Sequence, residues 1–200
     1  MIEELNVIIA GVGGQGILFT SRVIGEAALR KGIKYIQSEV HGLSQRYGSI
    51  HTEIRLGEKV MSPLIMEGTL DLMMALEPLE ALRRARYMCE KTVVVMNDHV
   101  IPPMISYLEE MEVPDLQEII SLLREVGVRK IYLVSATELA MKAGDPVVAN
   151  SVLLGATAKV GVLPFTKEEL MSSLSDLSPE RFKEINLRAF DLGYENVSEI

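Results

Sequence analysis

The sequence predicts an α/β protein: a Rossmann-like, mostly parallel, doubly wound sheet with an inserted β-hairpin and a helical carboxy-terminal part. Three observations carry this. An apolar run, Val7 to Ala10, feeds straight into Gly11-Val12-Gly13-Gly14-Gln15-Gly16 and then into a helical pattern from Ile17 to Lys31. Apolar strand-like runs then alternate with helical periodicity, the signature of parallel strands joined by helical crossovers. No Ser/Gly/Pro-rich linker, internal repeat or low-complexity tract interrupts the 200 residues, so 1–200 reads as a single domain.

Gly32 stands where the first helix needs a left-handed C-cap. Lys34 to Ser38 reads as the second strand, and Leu70 to Leu76, Thr92 to Asn97 and Arg129 to Val134 as further buried strands. Helical stretches are expected over Pro78 to Cys89, Leu116 to Val126, Val147 to Val160, Lys167 to Leu174 and Pro179 to Leu192. Asp145-Pro146 and Ser178-Pro179 place a capping side chain before a proline suited to the first helical position, and Thr166 with Glu169 has capping-box spacing. Ser49 to Leu56, Gly57-Glu58 and Lys59 to Ser62 read as the inserted hairpin. Its first strand alternates, with Ile50, Thr52, Ile54 and Leu56 toward the core and Ser49, His51, Glu53 and Arg55 toward water or a partner.

Composition excludes several classes. A hydrophobic content of 48% supports a substantial core, and a net charge of −8 argues against nucleic acid as the main partner. Arg83, Arg84 and Arg86 lie among Glu77, Glu80 and Glu90 and read as a solvated helix face. Cys89 is the only cysteine, so the chain can supply neither an iron–sulfur cluster nor a cysteine zinc site by itself. The start Met1-Ile2-Glu3-Glu4 lacks the basic region of a signal peptide, and no apolar run reaches the roughly 18 residues of a membrane span, which points to the cytoplasm.

The glycine turn admits three readings: a dinucleotide fingerprint, a phosphate turn for another ligand, or a tight turn with packing glycines. Glu39 stands where a dinucleotide site wants its ribose-binding acid. A chain of this length lacks room for a nucleotide half plus a full substrate domain, and offers no compact acid/base set. Ser38 to Ser49 gathers polar groups, glycines and His41 at the carboxyl end of the second strand, the edge where open α/β sheets bind ligands. His41, His51 and His99 have no metal-site spacing. His99 beside Asp98 reads as a loop cap, no G-x-S-x-G elbow is present, and Met61, Met66, Met73 and Met74 read as core filling.

The glycine turn, the segment Ser38-Glu39-Val40-His41-Gly42-Leu43-Ser44-Gln45-Arg46, the polar strand ending at Arg55, Ser62-Pro63, and Asn150 to Ala156 together resemble the gamma-type subunit of 2-oxoacid:ferredoxin oxidoreductases. Within that group the likeness is greatest to the small subunit of indolepyruvate ferredoxin oxidoreductases. Tyr47 stands where such proteins tend to carry a glycine. The resemblance implies a non-catalytic subunit of a heteromeric enzyme that converts aryl 2-oxo acids and coenzyme A to arylacetyl-CoA and carbon dioxide while reducing ferredoxin. Thiamine diphosphate, Mg and [4Fe-4S] clusters would then belong to a large alpha partner subunit. Gly11, Gly13, Gly14, Gln15 and Gly16 would meet coenzyme A phosphates or partner backbone, and Glu39, His41, Ser44, Gln45, Arg46, Ser49, His51 and Arg55 would line the active-site or partner contact. Other 2-oxo acids (2-oxoglutarate, pyruvate, 2-oxoisovalerate) or a free-standing NAD(P)-binding protein are the alternatives.

Overall fold

The structure is a computed structural model that describes residues 3–41, 48–103, 106 and 112–200, with His41 described by its backbone alone. A seven-stranded sheet has the order β2-β3-β1-β4-β5-β6-β7. Its strands are β1 (Leu5–Val12), β2 (Tyr35–His41), β3 (Ser49–Leu56), β4 (Leu72–Ala75), β5 (Val93–Asn97), β6 (Lys130–Val134) and β7 (Ser198–Glu199). β1, β4, β5 and β6 are parallel neighbours, and β3 and β7 run against the rest.

The period-2 alternation of buried strands divides the core between the two faces. Val7, Ile9, Leu72, Met74, Val93 and Val95 face one side, where they pack on α1 (Ile17–Arg30), α4 (Ala136–Ala143), α5 (Ala149–Val160), α6 (Lys167–Leu177) and α7 (Glu180–Glu195). Ile8, Ala10, Met73, Ala75, Val94 and Met96 face the other, against α2 (Pro78–Leu82), α3 (Leu116–Glu125) and the 3-10 turn Ala85–Tyr87. On the first side α5 and α7 cross at glycines: a Cβ on Gly155 would lie 1.9 Å from the Phe190 carbonyl oxygen, and one on Gly193 1.9 Å from that of Val152.

Several local expectations hold. Gly32 takes φ 68° after α1, Thr166 and Glu169 close a capping box, and Asp145 caps the 3-10 turn Pro146–Val148 through the Val147 N–H. Others need correction. Ser49–Leu56 pairs with β2 on one side and β1 on the other, while residues 59–62 form no strand. The antiparallel insertion is therefore β2 with β3, and β3 is an interior strand. Gly57 (φ 125°) bends the chain away against the Glu3 backbone, where a Cβ would lie 2.4 Å from the Glu3 carbonyl oxygen. The helix expected to Cys89 ends at Leu82. Ser178 donates to the Leu174 carbonyl at 2.6 Å, closing α6, and does not cap α7. Met73 and Met74 are core, but Met61 and Met66 are exposed.

Helix α4 lacked a local signal because its cap comes from another strand. Asn97, at the end of β5, accepts the Ala136 N–H at 2.8 Å through Oδ1. Ser135, the residue before the helix, instead donates to Asp98 at 2.5 Å.

Candidate functional site

The glycine turn sits at the carboxyl edge of β1, the side of an open α/β sheet where ligands bind. Gln15 closes it from within: its Oε1 accepts the Val12 N–H at 2.8 Å and its Nε2 donates to the Leu76 carbonyl at 3.3 Å. Gly11 makes room for that amide, since a Cβ there would lie 2.5 Å from Gln15 Oε1. Gly13 donates to the Gly48 carbonyl at 2.9 Å, which docks the start of β3 on the turn. Gly16 is the left-handed N-cap of α1 and backs onto Asn150 of α5, whose Nδ2 a Cβ would approach to 2.6 Å.

Gly14 differs from its neighbours. It has φ 102°, and nothing among the described residues lies within 4 Å of where its Cβ would stand. No side chain caps α1, and its first turn holds no acidic residue. Among the described residues the helix start is thus uncapped and positive in character, which suits an anion brought against the backbone.

Behind the turn, β3 presents a polar strip that is buried within the chain against α2 and the 3-10 turn, where the alternation predicts a face toward water or a partner. Ser49 opposes Val12 in the sheet. Its hydroxyl donates to Glu80 Oε2 at 2.5 Å and accepts from Arg84 Nη2 at 2.9 Å. The same Nη2 lies 3.0 Å from His51 Nδ1. Arginine can only donate, so Nδ1 is the acceptor and the His51 proton resides on Nε2, 3.6 Å from Glu53 Oε1. Arg84 is therefore no part of a solvated face: burial pulls its guanidinium pKa down. Arg83 (42% side-chain exposure) and Arg86 (64%) do remain open to solvent.

Two buried carboxylates were hidden in the same helix reading. Glu77 caps α2 by accepting the Glu80 N–H at 2.8 Å, and its other oxygen accepts the Ile101 N–H at 3.1 Å. Burial pushes its pKa up, against those bonds. Glu80 pairs with Arg83 at 3.1 Å and Arg84 at 4.0 Å. Together with Val12, Leu79 and Pro102, Glu80 and Arg83 line a cleft of about 190 Å³ beside the turn. The available signal was Glu77-Pro78 with Glu80 three residues on, directly after an apolar strand.

For Glu53, burial by itself would raise the pKa, but bonds from His51 and from the Ile65 N–H outweigh it and hold the carboxyl below its ordinary value. A depressed folded-state pKa adds stability that is present above the unfolded value of about 4.3 and is lost as pH falls through the folded one. Glu53→Gln should therefore flatten the loss of stability below about pH 4.3. Urea midpoints from pH 3 to 7 check this; equal acid slopes in both proteins would refute it.

The structure brings only part of the expected set together. Ser49 stands opposite Val12 beside the turn, and His51, opposite Ala10, is tied to Ser49 through Arg84. Arg55 lies at the far end of β3, opposite Asn6, and serves other partners. Glu39 is exposed on β2, which β3 separates from β1. It is thus about two strand spacings, roughly 9.6 Å, from the strand carrying the turn; a dinucleotide fold needs that acid on the adjacent strand. Ser44, Gln45 and Arg46 lie outside the described residues. No cluster of three or more His, Cys, Asp or Glu able to hold a metal occurs among the described residues, and none of their helices is long and apolar enough to cross a membrane.

Residues 6–196 match the pyruvate ferredoxin/flavodoxin oxidoreductase family, and the chain belongs to it. Among its relatives, indolepyruvate oxidoreductase subunit IorB of Methanothermobacter thermautotrophicus is 44% identical over 194 residues, 97% of this chain and 98% of that protein. The subunit of the same name from Archaeoglobus fulgidus is 40% identical, over 96% of this chain and 94% of that one. A pyruvate oxidoreductase subunit of Thermotoga maritima shares the fold, with a TM-score of 0.73 over 99% of each chain at 20% identity.

Proposed function

We propose that this chain is the small subunit of a heteromeric indolepyruvate ferredoxin oxidoreductase. The complex would couple oxidative decarboxylation of aryl 2-oxo acids to formation of arylacetyl-CoA, carbon dioxide and reduced ferredoxin. The observation that carries the reading is full-length identity of 44% to a subunit of that name. With one cysteine in the sequence, the [4Fe-4S] clusters belong to the large partner subunit, and we assign thiamine diphosphate and Mg to it as well. The isolated chain is then inactive.

The open backbone at Gly14 and the uncapped start of α1 fit a coenzyme A phosphate. The turn would orient that group, and the buried Ser49–Arg84–Glu80 chain would hold the turn's floor. Coenzyme A, when bound, supplies the thiol that accepts the acyl group.

The test is copurification with the large subunit and a rate screen over 2-oxo acids. Indolepyruvate and phenylpyruvate should exceed 2-oxoglutarate, pyruvate and 2-oxoisovalerate in kcat/KM; preference for one of the latter would overturn the substrate assignment. Turnover by the isolated chain would overturn the subunit reading. Gly14→Val should raise the KM for coenzyme A at least tenfold with a modest stability loss of about 1–2 kcal/mol from its left-handed backbone. An unchanged KM would leave the turn a packing element.

A further inference from the structure

Beside the glycine turn, between the starts of α1 and α7, lies a cleft of about 150 Å³. Phe19, Val147, Pro179 and Phe182 give it apolar walls, and Gly16 and Asn150 border it as well. A drug-sized site begins at roughly 300 Å³, so this cleft takes one flat ring system and not a whole ligand.

Asn150 is almost withdrawn from solvent, at 5% exposure. Its Nδ2 donates to the Gly16 carbonyl at 3.4 Å, which sets the sense of the amide, because a flip would turn Oδ1 against that carbonyl. Oδ1, the other end of an amide that lines the cleft, accepts from no donor among the described residues. A buried acceptor left in that state is costly, and a ligand N–H would satisfy it. The neighbouring Asn186 differs: its Oδ1 accepts the Ser151 hydroxyl at 2.7 Å and its Nδ2 donates to Ser178 Oγ at 3.0 Å.

Three demands thus converge on one ligand. Aromatic and aliphatic walls ask for a flat, uncharged ring. The Asn150 acceptor asks for an N–H on the edge of that ring. The uncapped start of α1, which borders the cleft at Gly16 and Phe19, asks for an anion joined to it. Arg181 lies over the Phe182 ring, 4.7 Å from its centroid, and adds a cation beside the cleft. An adenine nucleotide meets all of these, with a planar purine, an exocyclic amine and phosphates.

We propose that this cleft seats the adenine ring of a nucleotide whose phosphate lies at the glycine turn, with Asn150 Oδ1 accepting from the exocyclic amine. On the coenzyme A reading of the turn given above, on which this inference rests, that nucleotide is coenzyme A. The probes are adenosine 3′,5′-bisphosphate and its inosine counterpart, titrated by calorimetry into the assembled complex without 2-oxo acid. Wild type should bind the adenosine compound about tenfold more tightly or better, since the oxo group of hypoxanthine sets an acceptor against Asn150 Oδ1. Asn150→Ala should lose that preference, leaving a ratio below about 2. Phe182→Ala, at a half-buried position, should weaken both compounds about fivefold or more. Equal wild-type affinity for the two compounds, or binding of neither, would overturn the proposal. So would an Asn150→Ala variant that weakens both equally, since Asn150 would then act only through the turn. Coenzyme A, ATP and NADH next compete with the adenosine probe. If ATP or NADH displaces it better than coenzyme A does, with the same dependence on Asn150, the adenine seat stands and the coenzyme A reading of the turn fails.

Discussion

Gly155→Ala is expected to destabilise the protein by about 3 kcal/mol or more, beyond the usual range for one added methyl, even though alanine is the better helix former by about 1 kcal/mol. The new Cβ would stand 1.9 Å from the Phe190 carbonyl oxygen, and that oxygen belongs to backbone that no rotamer change can move aside. Relief requires α5 and α7 to separate by more than an ångström. Separation opens the packing of Phe190, Leu153, Ala156 and Ala189, all fully buried. Gly193 meets the Val152 carbonyl at the same distance, so the crossing is reciprocal and Gly193→Ala should behave alike. Because Asn150 at the start of α5 bears on Gly16, the displacement also reaches the glycine turn. Urea unfolding of both variants is the measurement, and a midpoint equal to wild type would refute the close crossing.

The parts of the fold that were legible are those whose signals are local. β1, the turn and α1 follow from one apolar run, glycines at fixed offsets and a helical period. The Thr166–Glu169 box reads directly from a four-residue spacing. What failed was non-local. Gly57 does adopt a turn conformation, yet the chain after it runs out to Arg55 and does not pair back as a strand, and β2 supplies the antiparallel partner. The cap of α4 arrives from Asn97, nearly forty positions earlier, where no sequence window could see it.

The candidate site divides the same way. Alternation along β3 correctly separated its two faces. It assigned the polar one to water or a partner because isolated polar residues are costly to bury. Ser49, His51, Glu53, Glu80 and Arg84 remove that cost for one another, and their partnership exists only once α2 is folded against β3. The arginine trio misled for a related reason: Arg83 and Arg86 do face solvent, and only the residue between their positions in the pattern turns inward.

Arg84→Ala tests whether that inward turn holds the site together. The change deletes the donor shared by Ser49 and His51 and removes one of two cations beside the buried Glu80 carboxylate. Breaking a buried ion pair by removing one partner costs about 3–5 kcal/mol. Arg83 stays 3.1 Å from Glu80 and is partly exposed, so the surviving charge is not orphaned and the loss should fall to about 2–3 kcal/mol. Arg84→Lys separates charge from geometry. Lysine keeps the cation but presents one compact ammonium in place of a planar fork, so it should recover only part of the loss. Ser49 opposes Val12, and Gly48 receives the Gly13 N–H; a loosened Ser49 therefore slackens the floor of the glycine turn. In the assembled enzyme, Arg84→Ala should raise the KM for coenzyme A by more than it lowers kcat, with Arg84→Lys intermediate. Urea midpoints of the free chain and steady-state kinetics of the complex read the two effects separately. If Arg84→Ala unfolds at the wild-type midpoint, the buried strip contributes no stability. If stability falls while the KM holds, the strip supports the fold alone and the turn does not depend on it.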